Sequence, residues 1–423
     1  MTSHDPTLNV GDIDDDAGRR STIILRMLQV EEAQARVMSE VVAGAIEDVA
    51  LDEALGRVLR EEIVAAADAP AADNSAMDGY AVRAEDIAGA PVTLPVTGDI
   101  PAGHPATHAL EAGTAMRIMT GAFVPDGADT VVQIELTDEG LERVTIETAL
   151  ARGTNIRRRG EDVHAGDVVL RPGVRIGPAE IALLAGAHKR RVSVGVRPTV
   201  AILSTGDELI DAGDAPSAGK IVNTNSHLLA ALVREAGAIA RPLGIVRDTR
   251  EATIAAFERA AESDFVLSSG GVSVGAYDFV KDALEALGAE TKFWRVAMKP
   301  GKPVVLSRLR DRLVFGLPGN PVSCFVAFHL FVVPALRKAM GQEVRLFPSI
   351  VRAQLTARAR GSAERRVYAR VHVEPRDGTL TATPLTSQSS GALTSMRDAN
   401  GLAVLHADAD AGAVVDVVMI GPL

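Results

Sequence analysis

The sequence predicts a multidomain α/β protein, in which a central domain with a parallel-rich sheet stands between smaller, mostly β segments. Its 423 residues correspond to about three domains at roughly 150 residues each. Residues 198–343 alternate apolar runs typical of strands with amphipathic stretches typical of helices, which is the pattern of a parallel sheet covered on both faces. Residues 68–163 and 344–423 instead carry short β-like runs between glycine and proline turns.

The composition limits the class of protein. Hydrophobic residues make up 47% of the chain and charged residues 23%, the proportions of an ordinary globular protein. The formal net charge of −11 makes nucleic acid an unfavourable partner, because an acidic chain repels phosphate backbones. A single cysteine, Cys324, rules out an internal disulfide and fits a reducing compartment such as the cytoplasm. No apolar run is long enough for a membrane span, so no membrane partner is expected.

The N-terminal elements are predicted from charge and periodicity. Residues 1–21 carry five aspartates and no apolar pattern, which predicts a mobile acidic tail. Apolar residues recur with helical spacing from Leu51 to Leu59, so an amphipathic helix is expected there. Pro178 at an early position predicts a second helix. Since a β-like insert separates these helical segments, residues 22–67 and 164–197 are predicted to form one discontinuous, elongated domain.

The two β-rich segments are predicted to form separate small domains. The insert, residues 68–163, contains runs such as Thr130–Ile134 between turn residues. In the C-terminal segment, residues 344–423, the runs Val367–Val373 and Val414–Met419 alternate apolar and polar residues. This pattern favours a small β-barrel or sandwich.

The central domain is predicted in most detail. Each apolar run is followed by a polar or glycine-rich turn and then by a helix, with Ser226 and Thr249 as the expected N-caps. A hairpin is expected between Val304–Leu306 and Leu313–Phe315, and a long apolar helix from Pro321 to near Gly341. The runs predicted as strands before the hairpin are Thr199–Leu203, Leu243–Val246 and Phe265–Leu267.

The strand ends of this domain carry the chemistry. Ligands of an open parallel sheet bind beyond the carboxyl ends of its strands. Here those ends carry Asp207 and Glu208, Asp248, Ser269 to Gly271 followed by Asp278, and the turn Pro318–Pro321. Four carboxylates at one edge cannot all stay ionised without cations, and the candidates are Mg²⁺ and the side chains of Lys299 and Lys302. The pattern predicts a mixed-charge pocket for a phosphorylated ligand and a hard cation.

Several of these residues have a simpler explanation when each is taken alone. Asp207, Glu208 and Asp248 could cap helices. The cationic turn Arg157–Asp162 could hold an anion or be a self-compensated surface. His329, within the apolar helix, is expected to be a core histidine with satisfied hydrogen bonds. Convergence on one sheet edge is what distinguishes a site from independent caps.

One short motif offers an alternative chemistry. Gly271–Gly275 matches the pattern G-x-S-x-G between a strand and a helix, which is the context of a nucleophile elbow. Ser273 would then be the nucleophile of a serine hydrolase, with Asp282 and His329 downstream in an allowed order. The pattern is short, however, and Gly270 fits a phosphate-binding turn equally well. The sequence has no HGGG-type oxyanion segment upstream of it.

Seven motifs taken together carry a family resemblance. In chain order they are Asp73–Ala81, Arg117–Ala122, Asn155–Asp162, Ser204–Glu208, Ser268–Gly275, Met298–Pro303 and Gly316–Ser323. In this order and spacing, the sequence resembles the MoeA family of molybdopterin molybdenumtransferases, which is related to the E domain of gephyrin. The resemblance covers about residues 22–423. It implies four domains per chain, with a MogA-like central α/β domain, and an elongated homodimer.

The resemblance also implies an activity. Members insert molybdate into adenylylated molybdopterin with release of AMP, using Mg²⁺, and so make molybdenum cofactor. The implied partners are a molybdopterin adenylyltransferase and molybdoenzyme maturation proteins. A gephyrin-like scaffold is the second class of function, but a scaffold does not need the acidic strand ends that this sequence retains.

The resemblance implies catalytic roles for particular residues of these motifs. By resemblance, Asp78 and Thr120 would lie in the β insert and face the α/β domain of a second chain. Glu208 would take part in the molybdenum step. Asp248 and Asp278 would hold the metal or the adenylyl end, with Glu208 as a further metal ligand. Because the site would need two chains, a monomeric variant is expected to be inactive.

Ligand-binding roles follow from the same motifs. By resemblance, Lys299 and Lys302 would contact the anionic ligand, and Pro318 and Pro321 would shape the loop over the pterin. The other implied binding residues are Ser269, Gly270, Gly271 and Ser273 of the glycine-rich turn, and Arg370 and Ser390 of the last domain. Two positions depart from the family pattern, with Arg295 where lysine is frequent and Asn223 where some members have an acid.

Overall fold

The structure is a computed structural model, and it describes residues 27–272 and 279–423. These residues form an N-terminal part, a β insert, a central α/β part and a C-terminal barrel, each with its own strands. The fold class predicted from the sequence is confirmed. The predicted acidic tail, residues 1–21, lies outside the described residues.

The N-terminal part joins chain segments from both sides of the insert. Strand pairing across the insert holds them together, and the helix predicted at Pro178 is present with proline in its first turn. The elements are the helices Val30–Glu40 and Pro178–Gly186, and the antiparallel strand pairs Ile46–Ala50 with Arg191–Gly195 and Ile63–Val64 with Val168–Leu170.

The prediction of an amphipathic helix from Leu51 to Leu59 is wrong. Only one 3₁₀ turn forms, Leu51–Glu53. Gly56 adopts a φ of 77° and its N–H donates to the carbonyl of Ile176 at 2.8 Å. The N–H of Leu59 donates to the carbonyl of Val174 at 2.9 Å. The backbone of this segment therefore bonds across to a neighbouring chain segment and not along a helix, although its apolar residues still face a core.

The insert is a five-stranded sheet with a buried core on each face. Tyr80 and Val82 pack into one core, while Ala81 between them packs into the other. In spatial order the strands are Thr130–Gln133, Gly79–Val82, Ala115–Ile118, Val92–Ile100 and Arg143–Ile146. The remaining elements are the strand pair Asn74–Ser75 with Ile156–Arg157 and the 3₁₀ turns Ala84–Ile87 and Ile134–Leu136.

The central part is built on a six-stranded sheet whose first four strands are parallel. In spatial order the strands are Ile239–Val246, Thr199–Thr205, Phe265–Ser269, Arg312–Leu317, Val305–Leu309 and Glu290–Phe293. The fifth strand is antiparallel to both of its neighbours, and it forms the predicted hairpin with the fourth. Along one strand Val200 and Ile202 face one core while Ala201 and Leu203 face the other, so the sheet is covered on both sides. A short parallel pair, Leu209–Ile210 with Ile221–Val222, follows the second strand.

Helices cover both faces of this sheet. They are Thr224–Glu235, Arg250–Ala260, Phe279–Ala286 and the long helix from Pro321 to Ala339. Thr249 caps the second of these, as predicted, by accepting a bond from Ala252 N–H. Ser226 is not the cap of the first, because Asn223 takes that position and its side chain accepts a bond from the Ser226 N–H at 3.2 Å.

The long helix is buried along most of its length. It consists of Pro321–Ala327, a π-helical segment Phe328–Val332, and Val333–Ala339. Pro334 has no N–H to donate, and the carbonyl of Leu330, four residues earlier, accepts a bond from the Gln34 side chain at 3.2 Å instead. The helix is long and apolar enough to cross a membrane, but 89% of the relevant window is buried inside the protein, so it is a core helix.

The C-terminal part is a closed five-stranded barrel. Closure follows from the pairing of Arg366–Arg376 with strands on both of its sides. Around the barrel the strands are Arg366–Arg376, Thr379–Pro384, Ile350–Leu355, Val414–Met419 and Gly401–Leu405, and the short helix Thr394–Arg397 lies in a connection. The strand Met298–Lys299 of the central part adds to the outside of this barrel by pairing with Arg366–Arg376.

Candidate functional site

Acidic side chains lie together at the carboxyl ends of the first two strands of the central sheet. The N–H of Asp248 donates to Asp207 Oδ1 at 3.2 Å, and the N–H of Asp207 donates to Asp248 Oδ2 at 3.3 Å. Glu208 belongs to the same turn, and a Cβ added to Gly206 would lie 2.6 Å from its carboxylate. None of the three acids is a helix cap, because the helix after Asp248 is capped by Thr249. We call these three residues the acidic corner.

Negative charge accumulates at the acidic corner. Burial raises the pKa of the Asp248 carboxyl above its ordinary value, and repulsion from Asp207 and Glu208 raises it further. The ammonium group of Lys220 donates to the backbone carbonyl of Asp207. Lys220 was not predicted, because it follows a turn-rich loop in which no periodicity indicates where a side chain will lie.

The acidic corner offers the donors that a hard divalent cation prefers. Carboxylate oxygens are the usual protein ligands of Mg²⁺, and a cation would relieve the mutual repulsion of these acids. Two of the three predicted metal ligands, Glu208 and Asp248, lie here, while the third, Asp278, falls outside the described residues. Within the described ranges no three His, Cys, Asp or Glu side chains already form a metal-binding group. The donor chemistry fits the ion, but the described ligand set is incomplete.

The glycine-rich turn after the third strand allows close backbone approach. Gly270 has a φ of 91°, and a Cβ there would lie 2.8 Å from the carbonyl oxygen of Thr205. The N–H of Gly270 donates to the carbonyl of Leu317 at 3.1 Å, so this group is engaged within the sheet and does not face a phosphate. Gly271 follows with a φ of 63°. Ser273, proposed from the sequence as a binding residue or a nucleophile, lies outside the described residues.

A buried asparagine that the sequence analysis missed connects two strand ends. Asn225 Nδ2 donates to Ser269 Oγ and to the carbonyl of Gly319, both at 2.7 Å. Asn225 Oδ1 and Thr205 Oγ1 are buried and have no hydrogen-bond partner. Such orphaned polar groups are costly unless a ligand or water pairs with them. The sequence signal for Asn225 is its place in the polar first turn of the helix Thr224–Glu235, directly before Ser226.

The turn Pro318–Pro321 joins the sheet edge to the C-terminal barrel. Pro321 opens the long helix at its first turn. The N–H of Val322, the next residue, donates to the carbonyl of Ser390 at 3.1 Å. Ser390 thus touches the turn through its backbone, and the turn itself is tied to the third strand by Asn225.

The two predicted lysines lie on the loop that passes this helix end. A Cβ added to Gly301, between them, would lie 3.5 Å from the carbonyl of Ser323. Lys299 and Lys302 are exposed, and neither takes part in an ion pair among the described residues. Two unpaired cations therefore flank the first turn of the long helix.

Arg370 has a different role from the predicted one. Its side chain is fully buried, although it was expected to contact ligand. Nε donates to Ser395 Oγ at 2.9 Å, and Nη2 donates to the carbonyls of Ser387 and Ser389 at 3.0 and 3.2 Å. Burial lowers the pKa of Arg370 below its usual value. These contacts hold the loop that carries Ser390, so Arg370 positions that loop.

Asp78 and Thr120 form a separate pair in the insert. Both the N–H and the hydroxyl of Thr120 donate to Asp78 Oδ1 at 2.7 Å, and the bond from the N–H is the main reason that the pKa of Asp78 is lowered. Both residues are exposed. Among the described residues, no hydrogen bond or ion pair links 74–157 of the insert to 199–317 of the central part. One chain thus presents two separate groups of predicted site residues.

The cationic turn Arg157–Asp162 is compensated in part. Arg158 pairs with Asp73 at 2.5 Å, and Arg159 pairs with Asp68. Glu161 accepts a bond from the N–H of Arg158 at 2.8 Å. Arg157 is exposed and forms no ion pair among the described residues, so two of the three arginines are engaged within the chain and one is not.

Comparison with known protein families assigns most of the chain. Residues 28–187 match the MoeA N-terminal region (domain I and II). Residues 201–338 match a probable molybdopterin binding domain, and residues 352–420 match the MoeA C-terminal region (domain IV). The three matches follow one another in the order in which the structure arranges its parts.

Similar proteins agree with this assignment. A molybdopterin molybdenumtransferase of Bacillus subtilis is 38% identical over 93% of this chain and 94% of its own length. Molybdopterin molybdenumtransferase 2 of Mycobacterium tuberculosis is 44% identical over 74% of this chain and 80% of its own length. A crystal structure of a molybdopterin biosynthesis MoeA protein from Pyrococcus horikoshii OT3 is 30% identical, covers 93% of this chain and all of its own, and has a TM-score of 0.80. On these matches, the chain belongs to the MoeA family.

Proposed function

We propose that this chain is a molybdopterin molybdenumtransferase, which inserts molybdate into adenylylated molybdopterin, releases AMP and so produces molybdenum cofactor. Family membership and the name shared by its curated relatives support the reaction class. The observation that carries the proposal is the acidic corner beside a glycine-rich turn, with unpaired buried polar atoms on Asn225 and Thr205. A phosphoanhydride substrate with a divalent cation matches that chemistry.

The acidic corner is the place for Mg²⁺ in this proposal. Asp207, Glu208 and Asp248 would hold the ion through carboxylate oxygens. When bound, Mg²⁺ would neutralise charge on the phosphoanhydride and polarise it for cleavage. In the metal-free chain burial and the neighbouring acids raise the pKa of Asp248, and a bound cation would favour its ionised form.

The lysines would bind the oxyanion. Molybdate is a dianion, and the acidic corner alone would repel it. Lys299 and Lys302 are exposed on one loop and have no acidic partner, so their charges remain available to an anion. Their placement beside the first turn of the long helix would let them hold the oxyanion next to the cation and not on it.

A second chain would complete the site. The Asp78–Thr120 pair has no bonded connection to the acidic corner among the described residues, so a homodimer would bring the insert of one chain to the acidic corner of the other. The N-terminal part also exposes apolar side chains that favour an interface: Val42 is 81% exposed and Ile46 is 53% exposed. In this proposal neither chain works alone.

The proposed reaction also suggests a cellular location and partner proteins. A cytoplasmic location suits a chain whose single cysteine is buried as a free thiol. An adenylyltransferase would deliver the adenylylated pterin, and molybdoenzyme maturation proteins would receive the product.

The other classes of function are not favoured. A scaffold would not need the acidic corner or the buried unpaired atoms around it. A serine hydrolase would need Ser273, and the family to which the chain belongs is named for transfer chemistry. Neither alternative explains why the strand ends gather three acids.

The proposal is tested by a reconstituted reaction. The purified full chain is mixed with adenylylated molybdopterin, molybdate and Mg²⁺, and both AMP and molybdenum cofactor are quantified. Wild type should form the two products in equal amounts, and Glu208→Gln should reduce their formation by about 10²-fold. The control is Asp311→Asn, because Asp311 lies in an exposed hairpin turn at the opposite end of the sheet. AMP without cofactor, or full activity in Glu208→Gln, would refute the assignment.

A further inference from the structure

A second cavity lies far along the long helix from the acidic corner. It is a cleft of about 750 Å³ between the N-terminal part, the end of the helix Thr224–Glu235, the π-helical segment, and the start and end of the barrel. Its volume falls within the range of roughly 300–1,000 Å³ that small-molecule sites occupy. None of the residues predicted from the sequence for the reaction lines it.

Two buried polar atoms in this cleft have no partner. His329 is 8% exposed, and its Nε2 makes no hydrogen bond among the described residues. Gln342 is 6% exposed, and its Oε1 is likewise unpaired, while its Nε2 donates to the carbonyl of Val344 at 2.7 Å. His329 is buried, as predicted, but the expected hydrogen bond to Nε2 is not formed. Buried polar groups of this kind are normally paired, and both of these atoms belong to residues that line the cleft.

The cleft is also cationic. Arg175, Arg337 and Arg345 line it, and none of them forms an ion pair with an acid among the described residues. Arg337 Nη1 is engaged with the carbonyls of Arg345 and Leu346, both at 3.1 Å, so Arg175 and Arg345 are the more available cations. Arg337 lies close enough to Arg175 to lower the pKa of its guanidinium, after the larger effect of burial. Of the two acids on the rim, Glu180 is already engaged with the N–H of Gly177 at 2.8 Å.

The same cleft has an apolar wall. Phe328 and Val333 come from the long helix, and Phe347 comes from the chain that enters the barrel. Phe328 belongs to the π-helical segment, a distortion that is frequent at functional sites. Burial and the charge of Arg337 lower the pKa of His329 to about 4, so the imidazole is neutral at physiological pH and adds no charge to the wall.

We infer that this cleft binds a small organic anion: a molecule with an apolar, ring-sized body and one carboxylate or sulfonate group. The exposed guanidinium groups of Arg175 and Arg345 would hold the anionic group, and the apolar wall would cover the body. The cleft is separate from the proposed reaction site, although one helix runs from the turn Pro318–Pro321 to both.

The test uses 8-anilinonaphthalene-1-sulfonate, which has an aromatic body, a sulfonate and an N–H. Its fluorescence should rise with saturation at one molecule per full-length chain. N-phenyl-1-naphthylamine, which lacks the sulfonate, should bind at least about tenfold more weakly if the arginines hold the anion. Equal binding of the two dyes would overturn the proposal, because it would show an apolar surface without anion recognition.

Matched arginine variants locate the site. Arg345→Gln and Arg175→Gln change exposed side chains and should each weaken dye binding about three- to fivefold, with wild-type turnover in the reconstituted reaction. Arg310→Gln is the control, because Arg310 is also exposed, also unpaired and also at a positive φ, 55° against 54° for Arg345. Unchanged binding in both cleft variants, or equal weakening in the control, would place the dye elsewhere and end the proposal.

Discussion

At the scale of single residues, the direction of the pKa shift of Asp248 indicates that this carboxyl serves ligand binding and not the stability of the fold. Its pKa is raised, so the ionised form is disfavoured in the folded chain relative to the unfolded chain. At neutral pH the charge therefore destabilises the fold, and this cost disappears as pH falls through the raised pKa. A residue kept for stability alone would have the opposite sign.

Asp248→Asn should raise the thermal midpoint of the metal-free chain. Asparagine keeps an oxygen that can accept the bond from the N–H of Asp207, while the repulsion within the acidic corner is reduced, which we expect to be worth about 0.5 kcal/mol. Added Mg²⁺ should stabilise wild type and leave the variant unchanged. Scanning calorimetry with and without Mg²⁺ measures both effects. A lower midpoint without metal would contradict the charge argument.

Arg370→Met should destabilise the barrel loop. The substitution leaves the carbonyls of Ser387 and Ser389 without their buried donor, which we expect to cost about 2–4 kcal/mol. Hydrogen exchange in residues 385–395 should accelerate, and the thermal midpoint should fall. Arg376→Met, on the same strand but exposed, is the control and should change neither. If Arg370 only contacted ligand, its loss would leave hydrogen exchange of the free chain unaltered.

At the scale of elements, strand ends were easier to predict than helix boundaries. The strands of the central sheet are buried apolar runs, and their ends converge because parallel strands must share an edge. The prediction of a helix from Leu51 was wrong because its apolar spacing is also compatible with a non-helical segment that buries the same side chains. The backbone of this segment forms its hydrogen bonds with residues 174–176. Asn225 was missed because its partners, Ser269 and Gly319, are far away in sequence.

Gly270→Ala should cost more than an ordinary glycine substitution. A methyl group at Gly270 would meet the carbonyl oxygen of Thr205 at 2.8 Å, in addition to the strain of a positive φ. Gly288→Ala is the control, because Gly288 has a φ of 70° and nothing within 4 Å of the added atom. Left-handed strain alone costs about 1–2 kcal/mol, and the additional loss at Gly270 measures the close approach. Denaturant unfolding of the two variants should differ, and equal losses would argue against a tight turn.

At the scale of the whole molecule, the position of the insert has consequences for assembly. The Asp78–Thr120 pair and the acidic corner have no bonded connection within one chain among the described residues. No periodicity in the sequence indicates such a separation, and here the family resemblance provided the expectation of a second chain. The proposed active unit is therefore a dimer with two shared sites.

Mixed dimers test the shared site. Asp78→Asn and Asp248→Asn chains should each be inactive alone. Mixed after reversible dissociation, they should recover about a quarter of wild-type turnover, because half of the dimers are mixed and each mixed dimer has one intact site. The control mixes Asp248→Asn chains with chains that carry both Asp78→Asn and Asp248→Asn. No dimer in this control has an intact site, so no activity should return. Failure of mixed dimers to recover activity, with exchange shown by mass, would place the whole site within one chain.

The outer strand of the barrel links two parts that the chain order keeps apart. Met298–Lys299 pairs with the start of Arg366–Arg376, so the lysine loop is anchored on one side by the C-terminal part. A protein cut after the long helix would keep every carboxylate of the acidic corner and still lose the surface that fixes Lys299. Removal of the last 80 or so residues, about the length of one small domain, should therefore weaken oxyanion binding at the reaction site even though Lys299 and Lys302 are both retained.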